Sequence, residues 1–477
     1  MERTSGSKTT LSDHSGQRHG EEAMDYPCLT KRLRKPETLP SSSRSNPNPN
    51  PLSTSESPSI RRETVPPPPP PPPEGTSIIT DDRLSPLPHV LQEEIFLRLA
   101  TPTDLVRASL ARRSFLRRFR KCHSPPLLGF MDWEGFSQVL PPHPSAPAAR
   151  EVARAADFSF SFVPPPACHS VDWKVLDIRD GRVLLCGGPK IENGRLLLFP
   201  ELAVCDPLHR QHRLLPPIPD DLAALVGDPL AVGYYHCSNA ILVPPAPCKE
   251  DEEEKEESDN ETSFRLIWMA RCTTEVVTIV YSSTTGQWQS IASRSWSDLF
   301  AGQLTEPLKS SLLGRCQCAY GCLYWPMKQM PLHGLNWEAM LMLDTIRMEF
   351  ALADYPPGRW TGRRIGIVEA GGSRLGLISL SDGTSHLCYF VSGNGQECSS
   401  EWEMDKVIPL GHGNSHTIID STERYLLLVE HNSETGYSKC FSLDVETFQL
   451  KKVWRKSHAP CGPIYANFPP SLSSGTI

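Results

Sequence analysis

The distribution of apolar residues divides the chain into regions of different character. Residues 1–80 are rich in Ser, Thr, Asn, Pro and charged residues, and few apolar side chains are available to offset the entropy lost on ordering. Residues 83–121 carry apolar positions at helical spacing, whereas residues 165–460 carry short β-prone runs separated by turn residues. The pattern predicts an α+β multidomain chain with a disordered N-terminal tail, a small all-α domain and a large all-β domain. Residues 122–164 are predicted to be a linker, and residues 461–477 a second disordered tail.

Two short amphipathic helices are predicted within residues 83–121. Pro88 suits the first position of a helix, where its missing N–H is not needed. Thr101 is a suitable N-cap for a second helix that starts at Pro102, and Asp104 favours the positive end of that helix dipole. The apolar positions of the first helix recur every four residues and therefore line one face: Leu87, Leu91, Ile95 and Leu99.

This segment resembles an F-box. The similarity lies in the run from Leu87-Pro88 through Glu94-Ile95 to Leu99, and in the restart from Pro102 to Leu105. The resemblance implies docking on the Skp-family adaptor of an SCF (Skp–cullin–F-box) ubiquitin ligase, with apolar side chains buried in a helix-in-groove contact. An ordinary helical hairpin with the same apolar stripe is the alternative. The side chains implied for the contact with the adaptor are Leu87, Pro88, Val90, Leu91, Ile95, Leu99 and Leu105.

The end of the segment departs from the family. The third helix of an F-box carries a basic residue and a tryptophan, followed by further helical residues. Here the chain reads Ala111-Arg112-Arg113-Ser114-Phe115 and passes directly into a second Arg-rich stretch, so this region is shorter and Phe115 takes the place of the tryptophan. The Arg-rich run from Arg107 to Lys121 is either a solvated face, a contact for acidic residues of the adaptor, or a phosphate-binding surface.

Hairpin-like units recur in residues 165–460. Each consists of a strand, a polar turn opened by Asp or Ser, whose side chain can accept backbone N–H groups, and a second strand with a large apolar residue. Trp288, Phe350 and Phe448 are predicted to pack between sheets, and Glu401 to Met404 is typical of a further, degenerate copy. Repeated β-hairpins predict propeller blades, and the region resembles the F-box-associated β-propeller-like domains of plant F-box proteins. The four copies span residues 203–217, 278–288, 341–350 and 441–450.

Two related units begin with a turn glycine that leads into a β-prone run. They are Gly181 to Leu185 and Gly321 to Trp325. A glycine adopts the positive φ that tight hairpin turns require, so each unit predicts the start of a strand after a turn.

The charge and hydropathy of the whole chain narrow the classes of partner. The net charge of −7 and the pI near 6.1 provide no positive field of the kind that attracts nucleic acid, so no nucleic-acid partner is expected. No window approaches eighteen uninterrupted apolar residues, and residues 1–6 lack the apolar stretch of a signal peptide, so no membrane partner is expected. The predicted location is the nucleus and/or the cytoplasm. The basic cluster 31–35 is either a nuclear import signal or part of a solvated tail.

Two low-complexity segments interrupt this organisation. The consecutive prolines 66–73 predict a polyproline II rod, which serves either as a spacer or as a ligand for SH3- or profilin-like grooves. The acidic stretch 249–261 repels itself and predicts a disordered surface loop, with attraction of a basic partner as the alternative.

The candidate catalytic and metal-binding residues are few. The 15 cysteines are scattered, and Cys316, Cys318 and Cys322 share parity, so on one extended strand they would face the same side. They are predicted to be core residues, with metal or redox chemistry as the alternative, since no second cysteine pair completes a zinc site. Gly411 to His416 contains a nucleophile and two possible bases but no positioned third group. No phosphate loop, H-E-x-x-H or G-x-S-x-G motif is present, so no catalytic activity and no cofactor are expected.

Three functions are consistent with these patterns. The first is a substrate-receptor subunit, in which the F-box docks on the Skp-family adaptor, and through it on a cullin, while the β domain binds an unidentified protein substrate. The second is an interaction scaffold whose shortened F-box no longer recruits a ligase. The third is a propeller hydrolase or lectin-like binder, which requires polar or acidic groups that converge on the central channel.

Overall fold

The computed structural model describes residues 125–467, apart from short internal gaps of which the longest are 246–262 and 328–338. The N-terminal tail, the F-box-like segment 83–121 and the acidic stretch 249–261 lie outside the described residues. The described residues form an almost entirely β structure with three short helices, which are α1 (Ala146–Ala155), α2 (Asp220–Ala223) and α3 (Trp296–Leu299). No helix in this part of the chain is long and apolar enough to cross a bilayer.

The strands, in chain order, are β1 (Leu127–Asp132), β2 (Gly135–Gln138), β3 (Lys174–Arg179), β4 (Arg182–Cys186), β5 (Ile191–Glu192), β6 (Arg195–Leu196), β7 (Leu202–Asp206), β8 (Gln211–Leu214), β9 (Ala231–Val232), β10 (Tyr235–His236), β11 (Ser238–Val243), β12 (Arg265–Arg271), β13 (Glu275–Ser282), β14 (Gln287–Ser295), β15 (Gln317–Ala319), β16 (Cys322–Pro326), β17 (Ala339–Asp344), β18 (Glu349–Asp354), β19 (Ile365–Glu369), β20 (Leu375–Leu380), β21 (His386–Ser392), β22 (Trp402–Pro409), β23 (Ser415–Ser421), β24 (Tyr425–His431), β25 (Ser438–Asp444), β26 (Leu450–Lys456) and β27 (Ile464–Ala466).

Most of these strands form five four-stranded antiparallel sheets, here called blades 1 to 5. The strand orders are β3-β4-β7-β8, β11-β12-β13-β14, β15-β16-β17-β18, β19-β20-β21-β22 and β23-β24-β25-β26. Each blade is an up-and-down meander, because neighbouring strands follow one another along the chain. First strands of neighbouring blades contact one another in the pairs β3 with β11, β15 with β19 and β19 with β23, so the first strands lie at the inside of the ring. The two short ribbons β5-β6 and β9-β10 lie in connections between strands.

A sixth sheet, the closing blade, joins the two ends of the domain. Its order is β2-β1-β27, and Phe130 of β1 pairs with Ile464 of β27. β27 also contacts β3 of blade 1, so it occupies the inner position of this blade. The described chain is therefore a six-bladed propeller closed by strands from both ends. This result differs from the predicted boundaries, since the expected linker 122–164 supplies β1, β2 and α1, and the expected tail supplies β27.

The core of the closing blade explains why its missing fourth strand is tolerated. Helix α1 packs on β1 and β2, and it buries Ala148, Ala149 and Val152 in the same cluster as Phe130 and Tyr465. The buried alanines let the helix approach the sheet closely. The apolar face of the three-stranded sheet is thereby removed from water, at roughly 25 cal/mol per Å² of apolar surface.

The hairpins predicted from the sequence join the third and fourth strands of four blades, and their turns have the expected chemistry. Asp206, Asp344 and Asp444 each accept, through Oδ1, the backbone N–H groups of the residues two and three positions later, at 2.8–3.2 Å. In blade 2 the Ser282 hydroxyl instead bonds the hydroxyl of Thr284 at 2.6 Å. The three aspartates thereby satisfy backbone N–H groups that the turn would otherwise leave unpaired.

Large side chains at these hairpins fasten neighbouring blades together, as predicted. Trp288 is buried, and its indole N–H donates to Pro216 O at 2.8 Å, just after blade 1 ends. Phe350 is buried in the cluster shared by blades 2 and 3, and Phe448 contacts the ring of Tyr389 in blade 4 at 5.1 Å between centroids. Trp402 donates in the same way to Asp354 O at 3.1 Å, so the degenerate copy at 401–404 is the corresponding hairpin of blade 4.

Candidate functional site

The seven residues predicted to contact a Skp-family adaptor lie between Leu87 and Leu105, outside the described residues, so that contact stays a prediction. The structure does describe where the chain enters the propeller. Pro126 O accepts the backbone N–H of Asn467 at 3.0 Å, and the Asn467 amide donates to Asp180 Oδ1 at 3.0 Å. Asp180 lies in the turn between the first and second strands of blade 1. Pro126 therefore lies on the face of the propeller that carries these first-to-second-strand turns.

Charged side chains meet at the centre of the propeller near this face. Arg179 Nη1 lies 2.7 Å from Glu423 Oε1, and Arg315 Nη2 lies 3.2 Å from Asp420 Oδ2. Arg179 ends the first strand of blade 1, Arg315 precedes the first strand of blade 3, and both carboxylates belong to blade 5. These pairs of blades are not neighbours in the ring, so both ion pairs cross the central channel.

Gln317 connects the inner strands of three blades. Its Nε2 donates to Ile365 O at 2.9 Å, while its Oε1 accepts from Ile367 N at 2.5 Å and from the Ser421 hydroxyl at 2.7 Å. Gln317 lies in blade 3, the two isoleucines in blade 4, and Ser421 in blade 5. The inner strands of separate blades do not form a hydrogen-bonded ladder with one another. The Gln317 amide supplies hydrogen bonds between them instead.

Burial and charge oppose each other within this network. Burial disfavours the charge of Arg179, but the surrounding groups, among them Cys318 and Glu423, outweigh it and hold the pKa of the guanidinium above its ordinary value. Burial raises the pKa of Asp420, although the charge of Arg315 acts in the opposite direction. Burial also raises the pKa of Glu369, whose Oε1 accepts the Tyr320 backbone N–H at 2.7 Å.

Polar and charged side chains thus converge on the central channel, as a propeller hydrolase or lectin-like binder would require. The carboxylates already bond to the protein: Asp420 and Glu423 are ion-paired, and Asp177 Oδ2 accepts the Leu242 N–H of blade 2 at 2.9 Å. Within the described ranges, no group of three or more His, Cys, Asp or Glu side chains is placed to hold a metal ion. These ion pairs and hydrogen bonds attach the inner strands to one another across the ring.

The three clustered cysteines lie beside the network, but not on one strand. Cys318 is buried and Cys316 is half-buried next to β15, whereas the turn at Tyr320-Gly321 places Cys322 at the start of β16, paired with Ala319. The prediction of a single face fails because that turn reverses the chain. Burial raises the pKa of the Cys318 thiol to about 11, which disfavours the thiolate despite the nearby Arg179.

The Gly411 to His416 motif begins the first strand of blade 5. Ser415 is exposed, and His416 Nε2 lies 3.9 Å from Glu430 Oε2, while the other oxygen of Glu430 lies 2.6 Å from Lys439 Nζ. Successive side chains of a strand point to opposite faces, so Ser415 and His416 do not form a nucleophile–base pair. His416, Glu430 and Lys439 instead form a row of cross-strand neighbours.

The residues of the central network were not singled out in the sequence. A usable signal does exist, because each of these inner strands has a polar residue close to the turn that ends it. Arg179, Gln317, Glu369 and Ser421 all lie within a few residues of such a turn. Their pairing partners are far apart along the chain, so the signal could mark the positions but not the contacts.

No family model matches the chain, and no curated protein matches it. Among solved structures, the β-propeller domain of the Trilobed protease from Pyrococcus furiosus is 9% identical, with 59% of this chain and 70% of that chain covered and a TM-score of 0.30. A protein from Lactobacillus plantarum is 11% identical, with 61% and 87% covered and a TM-score of 0.29. The six-bladed propeller rests on the strand order of this chain itself.

Proposed function

We propose that the chain is a substrate-recognition adaptor subunit of an SCF-type ubiquitin ligase. The observation that carries the proposal is the F-box-like pattern from Leu87 to Leu105, which is followed within the same chain by a propeller. The F-box docks on a Skp-family adaptor, and through it on a cullin, and the propeller binds a protein substrate. The chain supplies proximity rather than a catalytic side chain, since it holds the substrate near a charged ubiquitin carrier.

The propeller is a suitable substrate-binding domain for physical reasons. Its inner strands are tied across the channel by Arg179, Gln317 and Glu423, so the strand ends and their loops are held on a stiff frame. Binding residues are most often carried on loops that a rigid scaffold positions. We therefore expect the substrate to bind loops that this frame carries.

The proposal is tested by binding of a purified Skp-family adaptor to the full-length chain. We expect micromolar or tighter binding by the wild type and loss of binding in Leu91→Ala/Ile95→Ala, because both side chains lie on the docking stripe. Gln92→Ala/Glu93→Ala is the matched control, since those positions lie off the stripe of period four and should bind as the wild type does. Absence of wild-type binding would contradict the proposal.

A second function is favoured by one specific observation. The region from Ala111 to Arg120 is shorter than the third helix of an F-box, and that helix completes the docking domain. In this alternative the chain is a propeller interaction scaffold that no longer recruits a ligase. Wild-type chain that fails to bind the adaptor, but keeps the folded propeller by circular dichroism, is the result that this alternative predicts.

A further inference from the structure

The outer strand of blade 4 is unusual among the described strands in its exposed apolar side chains. β22 pairs with β21 on one side, and six of its eight residues are exposed. Met404 is 57% exposed and Val407 is 48% exposed. In the part of the chain that the structure describes, no backbone–backbone hydrogen bond joins β22 to anything other than its partner strand. The strand therefore offers an unpaired edge and two large apolar groups.

A β-bulge places the two apolar residues on the same face. Met404 is opposite Phe390 and Val407 is opposite Cys388, and these two partners are two residues apart on β21, so they share a face. The register shifts between Tyr389 and Phe390, which leaves Asp405 without a residue opposite it. Lys406, opposite Tyr389, points to the other face, where its Nζ lies 3.8 Å from the centre of the Phe448 ring.

The residues on this edge are complementary to those of a second copy that pairs with it antiparallel. If two copies pair antiparallel about a two-fold axis between Asp405 and Lys406, each Asp405 lies opposite a Lys406 and each Met404 opposite a Val407. Both the ion pair and the apolar pair then occur twice, as an isologous interface requires. A shift by one residue in either direction would place Asp405 opposite Asp405 or Lys406 opposite Lys406. Charge therefore selects one register, because like charges directly opposite each other are destabilising.

We propose that β22 is a self-association edge, through which a second copy of this chain pairs antiparallel with blade 4. The pairing joins two four-stranded sheets into one continuous sheet and covers the exposed side chains of Met404 and Val407. The pairing involves neither the F-box-like segment nor the central network, so it does not depend on the proposed function.

The test is the association state of the full-length chain, measured by sedimentation equilibrium from about 1 to 100 µM. We expect a dimer in the wild type. Asp405→Lys or Lys406→Asp turns two ion pairs into two like-charge contacts, and each should weaken the dimer by at least roughly tenfold. The double variant Asp405→Lys/Lys406→Asp restores opposite charges in the same register and should return the dissociation constant to within about threefold of the wild type.

The controls distinguish the loss of strand pairing from a general effect of surface charge and from misfolding. Lys452→Asp changes an exposed residue on the outer strand of blade 5 and should leave association unchanged. Asp405 and Lys452 are exposed, so their substitution should leave the thermal unfolding midpoint unchanged. Lys406→Asp also loses the contact with the Phe448 ring, so circular dichroism checks that this variant keeps its fold. Three results would overturn the proposal: a wild type that is monomeric throughout the range, a dimer that both single variants preserve, or a double variant that stays as weak as the single ones.

Discussion

His143 is a buried residue that should make the stability of the propeller depend on pH. It lies between β2 and α1 and is 4% exposed. Its Nδ1 accepts the Ser145 backbone N–H at 3.1 Å, so the proton of the neutral ring is on Nε2, which lies 3.1 Å from the Ser442 hydroxyl of blade 5. Protonation of Nδ1 would place two N–H groups against each other. The folded state therefore favours the neutral ring.

The size of the effect follows from the pKa of this histidine. Burial, assisted by the charge of Lys451 and opposed by Asp444, lowers the pKa of His143 from 6.5 to about 4. The unfolded chain then binds a proton at a higher pH than the folded chain does. The neutral ring stabilises the fold fully above pH 6.5, and this contribution is lost as the pH falls toward 4. A difference of about 2.5 pKa units corresponds to at most about 3 kcal/mol.

The assay compares the wild type with His143→Gln by urea unfolding of the full-length chain, followed by tryptophan fluorescence at pH 7, 6, 5 and 4. Glutamine does not titrate, and the other groups titrate equally in both proteins, so their contributions cancel in the difference. At pH 7 the wild type should be more stable by about 1–3 kcal/mol, since the variant disturbs two buried hydrogen bonds. By pH 4 that advantage should have disappeared.

The matched control is His212→Gln, which changes an exposed histidine of β8 and should alter the stability at pH 7 by less than about 0.5 kcal/mol. The reasoning would be refuted if the difference between wild type and His143→Gln stayed constant within about 0.5 kcal/mol from pH 7 to pH 4. That outcome would mean that His143 titrates alike in the folded and unfolded chains.

Two further substitutions probe the inner ring by the same urea assay at pH 7. Gln317→Leu leaves the Ile367 N–H and the Ile365 carbonyl without their side-chain partner and should cost about 2–4 kcal/mol, whereas Gln289→Leu on the exposed edge of blade 2 should change stability by less than about 0.5 kcal/mol; equal effects would contradict the bridging role. Gly366→Ala places a Cβ against the buried side chain of Leu426 and should cost about 1–3 kcal/mol, while Gly227→Ala, where a Cβ meets nothing within 4 Å, should be close to neutral. A neutral Gly366→Ala would show that the ring can widen there.

Local chemistry made the hairpins predictable. The acceptor groups of Asp344 and Asp444 reach backbone N–H groups only two and three residues away, so sequence proximity is enough to specify the turn. The same holds for the turns at Asp180-Gly181 and Tyr320-Gly321, where both residues of each pair have positive φ as tight hairpins require. The four hairpins, and the turn with its following strand at Gly181 and at Gly321, were therefore predictable without any tertiary contact.

Ring closure depended on tertiary structure. β27 has three residues, too few to show a periodic pattern, and it becomes a strand because β1 is placed beside it by the other five blades. The segment after β2 forms helix α1, which packs on β1 and β2, so it lacks the alternation by which strands are recognised. For these reasons the propeller was predicted, while residues 122–164 were assigned to a linker.

By itself, the sequence determined the blade hairpins, the aromatic residues between blades, and an F-box-like pattern from Leu87 to Leu105 whose role stays a prediction. Only the tertiary structure decided which polar residues meet. Arg179 and Glu423 are separated by 244 positions, and Gln317 and Ser421 by 104, so no local pattern relates them. Side chains this far apart in sequence meet only when the blades between them are packed around the propeller axis. The physical reason is that turns depend on short-range hydrogen bonds, whereas the central network depends on the closed geometry of all six sheets.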